Sequence, residues 1–381
     1  MGIQSSNEVV FFFGAGASAP FGIPTMRQLV PLFENELESF AKYGSEQGFE
    51  TAIELKEMYK EIKETLETKL PKERIDLEAV FTVINGIIDY KPEHLDLMSL
   101  YAIAELREDF ANQKQRDICS LLRSQFQDFV KMKCSAPETP FSQTRLGEVY
   151  QDFFNKFASE LPSPNASVKN GDYCWNSRWT MFTTNYDLCL EHYWYTRACA
   201  AIDLAFEDDK SRNVKHMVPS RYLREDIGIQ LFKLHGSVNW FIEKETGEII
   251  EQDVPFGESL LGRQIEGEMM IYPIAEKQLY LDPYLSMLLR LNKELERKRI
   301  WVVIGYSFND PIIQTIFLKK SKLDKHLILV NPNAQKVYDM QLQGFDGKKS
   351  LINKRFGLDD FKQVNDEIIH ELAYRPSTYD F

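Results

Sequence analysis

An apolar run, Val9-Val10-Phe11-Phe12-Phe13, gives way abruptly to the small residues Gly14-Ala15-Gly16-Ala17-Ser18. Glycines there let a backbone come within van der Waals distance of a ligand, and a helix starting soon after Ser18 would aim unpaired N–H groups at the same spot. Strand-loop-helix units hold a pyrophosphate in this way, while a Gly-x-Gly after a strand also serves as a plain tight turn. Two further polar tips are Thr184-Asn185-Tyr186-Asp187 and Leu234-His235-Gly236-Ser237; the second carries an imidazole able to accept a proton near neutral pH. Gly305-Tyr306-Ser307 and Asn331-Pro332-Asn333 repeat the pattern. Taken singly, each has a structural explanation. His235 can be a core histidine, Asn185 a cap or turn residue, Asp187 a first-turn helix residue, and Ser307 and Asn331 strand-end turn residues.

Each tip needs an element to hold it. Strand signal at 178–183 precedes Thr184 and a helix-like run at 188–198 follows Asp187; His235 lies within an extended stretch at 227–241. Ile300-Trp301-Val302-Val303-Ile304 and His326-Leu327-Ile328-Leu329-Val330 read as buried strands, and Pro311 suits an early helical position. A charged hairpin at 243–248, a short apolar segment at 270–273, and helices at 283–299 and 358–374 complete this part. Apolar strands that each end in Gly, Asn, Asp or Ser and lead into a helix predict an α/β fold. That fold is a Rossmann-like parallel sheet with helices on both faces and a ligand crevice outside the carboxyl ends of the strands.

The pattern is interrupted. After a helix from Thr25 to about Tyr43, in which Pro31 marks a kink or an early turn, no second strand arrives. Segments 49–70, 76–89, 92–110 and 113–132 read as amphipathic helices instead, with no fixed repeat. The expected organisation is a Rossmann-type domain over 1–31 and 145–381, with an all-helical insertion at 32–144. A further helix is expected at 146–161.

The 381 residues carry 57 acidic against 45 basic side chains, a formal charge of -12 that disfavours direct binding of nucleic acid. Cys119, Cys134, Cys174, Cys189 and Cys199 form no C-x-x-C pair, so neither a zinc module nor a disulfide framework is expected, and no metal site is predicted. No window is apolar enough to cross a bilayer and no signal-type leader is evident, which points to a cytoplasmic protein without membrane association.

As a set, Gly14-Ala15-Gly16-Ala17-Ser18, Gly22-Ile23-Pro24, Thr184-Asn185-Tyr186-Asp187, Leu234-His235-Gly236-Ser237 and Gly305-Tyr306-Ser307 resemble the motifs of the sirtuin family, in the same order. The chain looks most like the sirtuin-like NAD-cleaving proteins of bacterial anti-phage defence. Two departures separate it from sirtuin deacetylases: the paired C-x-x-C motifs are missing, and Gly-Ile-Pro is followed by Thr25-Met26-Arg27 where they have Asp-Phe-Arg.

The resemblance implies that NAD is bound as substrate and hydrolysed to nicotinamide and ADP-ribose. Asn185 would orient water and ribose, His235 would act as base near the ribose hydroxyls, and Asp187 would contact the nicotinamide amide. Gly14, Ala15, Gly16, Ser18 and Thr184 would line the phosphate side, Phe21 and Ile23 would wall the nicotinamide, and Gly305, Ser307 and Asn331 would meet the adenosine half. A free-running activity of this kind would starve its own cell, so the resemblance also implies control by homo-oligomer assembly or by a HerA-type hexameric ATPase, within abortive infection. Alternatives are an NAD-dependent protein deacylase or ADP-ribosyltransferase, and a scaffold that senses NAD or ADP-ribose without cleaving it.

Overall fold

The computed structural model describes residues 8–43, 46–69, 77–88, 113–135, 139–160, 167–169, 172–174, 179–196, 202–210, 212, 214–224, 228–252, 265–270 and 282–373. Its first strand, β1 (Val9–Phe13), is buried throughout. It leads into a single helical turn, α1 (Ala15–Ser18), and a 3-10 turn (Ala19–Phe21) closed by Gly22 at φ 90°. Helix therefore begins at the glycine loop itself, earlier than the expected start after Ser18.

The helices α2 (Met26–Tyr43), α3 (Glu46–Lys69), α4 (Leu77–Ile88) and α5 (Gln113–Cys134) belong to a compact unit of their own, Pro24–Cys134 with Ile271–Gln278. Phe33 and Phe126 (5.3 Å), Phe33 and Tyr59 (5.5 Å), and Phe81 stacked on Phe126 (3.6 Å) form its aromatic centre. The expected helix at 92–110 lies outside the described residues.

The other unit comprises Met1–Ile23, Ser135–Met270 and Leu279–Phe381. After α6 (Pro140–Glu160) come a small ribbon, β2 (Ser167–Lys169) with β3 (Asp172–Cys174), then β4 (Trp179–Thr183) and α7 (Cys189–Thr196). The strands β5 (Ile202–Asp203), β6 (Phe206–Asp209) and β7 (Val214–Met217) follow, then β8 (Ile229–Lys233), β9 (Gly236–Glu243), β10 (Ile249–Glu251) and β11 (Ile265–Met270). The chain continues through α8 (Tyr284–Arg297), β12 (Ile300–Ile304), α9 (Pro311–Lys320), β13 (His326–Val330), α10 (Ala334–Gln341), β14 (Lys348–Ile352) and α11 (Phe361–Ala373).

Seven strands form one sheet in the order β14-β13-β12-β1-β4-β8-β5, with every described pairing parallel. The sequence leaves β1 toward β4 on one side and returns to β12 on the other, so the switch in strand order falls between β1 and β12. Crevices of doubly wound sheets open at such a point. Period-two alternation sends the β1 aromatics to opposite faces. Phe11 packs on Phe157 of α6 at 4.7 Å, while Phe12 meets Phe317 of α9 at 5.5 Å. Both faces are thus covered by helices, which is why β1, β12 and β13 read as continuous apolar runs.

A second sheet, antiparallel in the order β11-β9-β10-β7-β6, contains the expected charged hairpin as its β9–β10 pair, while its other strands were not expected from the sequence. It arises because the extended stretch around His235 divides: β8 ends at Lys233, and β9 starts at Gly236 and pairs with β10 across the charged hairpin. Gly236 sits at φ 81°, and a Cβ there would lie 1.8 Å from the Met269 carbonyl oxygen. Only glycine permits that break.

Candidate functional site

Five adjacent strands, β13-β12-β1-β4-β8, finish at one level. Val330 is level with Ile304, Ile304 with Phe13, Phe13 with Thr183, and Thr183 with Lys233. Asn331, Gly305, Gly14, Thr184 and Leu234 are the first residues beyond those ends, so the polar tips share one rim of the sheet.

The glycine loop is built by contact between two backbones. Gly16 N–H donates to the Gly305 carbonyl at 3.0 Å. A Cβ on Gly14 or Gly16 would lie 2.7 or 2.8 Å from the backbone of Gly305 and Tyr306. Gly305, at φ 68°, would place a Cβ 2.3 Å from Ala17 N. The demand for glycine on both sides of the switch point thus comes first from packing of one loop on the other. Ala15 and Gly16 remain half-buried, whereas Ser18 is buried.

Asn185 ties the next tip to this loop. Its Nδ2 donates to the Gly14 carbonyl and to Ser18 Oγ, each at 3.0 Å, and its backbone N–H donates to Thr183 Oγ1 at 3.0 Å. Thr184 N–H reaches the Phe13 carbonyl at 3.4 Å. Asp187 is buried, and its Oδ1 accepts the Cys189 N–H at 2.9 Å, a helix-starting role for α7. Burial pushes the Cys189 thiol well up, and the Asp187 charge adds to the shift, so the thiol stays protonated.

Beneath the tip lies a cation the motifs do not reveal. Lys233, 0% exposed, donates from Nζ to the carbonyls of Tyr186 (3.2 Å) and Asp187 (2.6 Å) and to Glu191 Oε1 (2.6 Å). Burial raises the Glu191 carboxyl above the ordinary range, and Lys233 opposes that rise. Tyr150 is also buried, and its Oη has no hydrogen-bond partner among the described residues. Burial first, then the nearby Cys189 and Asp187, hold that phenol well above its usual range, so it remains a donor.

His235 stands beside Tyr186, ring centroids 6.4 Å apart, and its Nε2 meets Asp310 Oδ2 at 3.2 Å. Both side chains are largely buried, at 11% and 6% exposure. Asp310 arrives from β12, three strands away. At roughly 4.8 Å per strand the gap between the two strand ends is about 14 Å, which the five residues after Gly305 and the two side chains span together. Phe308 directs that path. It adopts φ 58°, a left-handed conformation costing about 1–2 kcal/mol for a bulky residue, and its ring is fully buried against Tyr306 (4.9 Å) and Phe317 (5.0 Å). Asp310 was not among the residues singled out from the sequence, which marked only Pro311 after it as an early helical position.

Of the other candidate residues, Phe21 is buried against Tyr150 at 5.2 Å and Ile23 is buried at 6% exposure. Ser307 is half-buried on the arching loop. Asn331 donates to the Tyr306 carbonyl at 3.3 Å and accepts the Asn333 N–H at 2.9 Å, so it braces the ends of β12 and β13. Among the described residues no cluster of three or more His, Cys, Asp or Glu is placed to hold a metal ion, and no described helix is long and apolar enough to cross a membrane.

The strand order and the loops gathered at its switch point define a doubly wound, Rossmann-like α/β domain. Residues 180–342 match the SIR2-like domain family, a span running from β4 to the end of α10. Asn185, Asp187, His235, Gly305, Ser307, Asp310 and Asn331 fall inside that span, and the glycine loop after β1 lies outside it. No curated protein matches the sequence. Among solved structures, a Sir2 homologue mutant bound to ADP-ribose is 13% identical with a TM-score of 0.38, covering 96% of this chain and 91% of that one. A Sir2 homologue bound to NAD is likewise 13% identical with a TM-score of 0.38, covering 97% and 92%. A third, a Sir2 homologue mutant bound to 2'-O-acetyl ADP-ribose, is 13% identical with a TM-score of 0.40, covering 96% and 91%.

Proposed function

We propose that this chain is an NAD+ glycohydrolase that cleaves NAD+ to nicotinamide and ADP-ribose. The observation that carries the reading is the convergence of the glycine loop, Asn185 and the His235–Asp310 pair on one rim of a parallel sheet, at its switch point. The match of residues 180–342 to the SIR2-like domain supports the choice of substrate.

The bond between ribose C1′ and the nicotinamide nitrogen breaks through an oxocarbenium-like transition state, as glycosidic bonds do. The leaving nitrogen already carries positive charge and takes the bonding electron pair, so nicotinamide departs neutral without an acid. Water then forms the new C1′–O bond and loses one proton. In this reading Asn185, fixed by two bonds to the glycine loop, orients the ribose and the water, and His235 takes up the proton before passing it to solvent. In the same reading Ala15, Gly16 and Ser18 lie on the pyrophosphate side, Phe21 and Ile23 back the nicotinamide side, and Ser307 and Asn331 border the adenosine side.

A free NAD+ glycohydrolase would exhaust its own cell. We therefore place the chain in anti-phage defence, held inactive until assembly into a homo-oligomer or engagement of a HerA-type ATPase. Chromatography of NAD+ after incubation with the chain, with and without such an ATPase, tests both parts. Expected products are nicotinamide and ADP-ribose in equal amounts, with turnover lost in Asn185→Ala and His235→Ala. Turnover unaffected by both substitutions would remove the site assignment. Nicotinamide release that depends on an acylated peptide would assign the domain to group transfer.

A further inference from the structure

We infer that Asp310 is the positioning residue of His235, fixing which ring nitrogen carries the proton and how the imidazole faces the reacting ribose. The inference rests on the NAD+ glycohydrolase reading for its kinetic consequence, and on geometry alone for its structural one.

The two oxygens of Asp310 have divided duties. Oδ1 accepts the backbone N–H of Ile312 at 2.9 Å and of Ile313 at 3.4 Å, capping α9, while Oδ2 faces His235 Nε2 at 3.2 Å. Capping fixes the carboxylate in place, because turning it away from the helix would strand the Ile312 and Ile313 N–H groups at the helix start. The imidazole then adapts to the carboxylate. A carboxylate only accepts, so Nε2 is the protonated nitrogen and Nδ1 carries the lone pair available as base. When Nδ1 takes a proton, Asp310 stabilises the imidazolium that results, and the Nε2 proton stays on the ring.

Among the described residues, the other ionisable groups around this ring have bonds or surroundings of their own. Asp187, on the loop before α7, has Oδ1 on the start of that helix, and Glu191 of α7 is bonded to Lys233 of β8. Cys189 is buried beside Asp187, and the Tyr284 phenol of α8, held neutral by burial, lies by Gly236. Among the described residues, Asp310 is the carboxylate that lies within bonding distance of the ring, at 3.2 Å.

Asp310→Asn separates the two duties. Asparagine caps a helix about as well as aspartate, so the variant keeps α9 and melts close to the parent, yet it loses the charge. The expected result is a fall in kcat of at least about tenfold with KM little changed. The acidic limb of the pH–rate profile should move to lower pH, because the imidazolium has lost its counter-charge. Nitrogen-15 NMR of the ring, assigned with His235→Ala, supplies a readout independent of turnover. The parent should show the Nε2–H tautomer and a higher titration midpoint than Asp310→Asn. A parent ring protonated on Nδ1, or an unchanged midpoint and pH profile in the variant, would overturn the inference. A parent with the expected tautomer and no turnover of NAD+, alone or with a partner ATPase, would sink the glycohydrolase reading and leave the pairing intact.

Discussion

Asn185 donates its carboxamide N–H to the Gly14 carbonyl over 3.0 Å, so a side chain beyond β4 supports the turn beyond β1. The same nitrogen reaches Ser18 Oγ, which makes Asn185 a clasp between two loops as well as a group able to meet a ribose. Asn185→Ala is therefore expected to lower stability by about 1–2 kcal/mol, the scale of a lost pair of buried hydrogen bonds. It should also reduce NAD+ turnover by a far larger factor than Ser18→Ala, which removes only one partner of the clasp. Urea unfolding and initial rates on the same preparations check both.

Glycines 247 and 305 share nearly the same backbone angle, φ 67° and 68°, and differ in what surrounds them. At Gly247 a new Cβ meets nothing within 4 Å, whereas at Gly305 it meets Ala17 N at 2.3 Å. Gly247→Ala should cost about 1–2 kcal/mol, the strain of the left-handed conformation by itself. Gly305→Ala adds a backbone clash that no rotamer can relieve, and the expected loss exceeds about 4 kcal/mol or prevents folding. Parallel denaturant titrations decide this. Equal losses at the two positions would mean that the loops do not press on each other.

Lys233 and Glu191 form a buried pair under the Asn185 tip, joined at 2.6 Å. Lys233→Met leaves Glu191 buried and uncompensated and frees the carbonyls of Tyr186 and Asp187; a loss of about 3–5 kcal/mol is expected. Adding Glu191→Gln removes the stranded charge and should recover a substantial part of it. A double-mutant cycle measures the coupling, which would vanish if the two side chains were solvated separately.

His326 is half-buried on β13, with Nε2 2.9 Å from Ser350 Oγ. Burial first, and then Lys348, pull its pKa down from 6.5 to about 4. A histidine depressed on folding is neutral in the native state while the unfolded chain already binds a proton. Its stabilising contribution is thus complete above about pH 6.5 and is lost as pH falls toward 4, by up to about 1.4 kcal/mol per pH unit. The stability difference between the parent and His326→Gln should shrink across that window and level off near pH 4. A difference independent of pH would show that the ring is not held neutral.

The strands that build the rim could be read locally. Val9–Phe13, Ile300–Ile304 and His326–Val330 are unbroken apolar runs because both faces of a parallel sheet are covered, and the glycine or polar residue after each marks where the covered stretch stops. β14, Lys348–Ile352, escaped notice because at the sheet edge its lysines stay partly solvated and dilute the apolar signal. Of the antiparallel sheet only the charged hairpin was read; the rest escaped because β8 and β9 join through two residues, and the break at Gly236 depends on the Met269 carbonyl behind it, well over twenty positions along the chain.

From the chain of residues alone came the α/β class and the tips with their order, since these depend on periodicity and on residue types at strand ends, while the choice of Asn185 and His235 among the tips came from the resemblance of the motif set to the sirtuin family. The tertiary structure alone decided the partners. Asp310 pairs with His235 across 75 positions, Lys233 supports its loop from below, and Gly14 needs to be glycine because Gly305 lies against it. Such pairings follow from strand order and register, and those are set by the burial of the whole sheet, which no local stretch of sequence encodes.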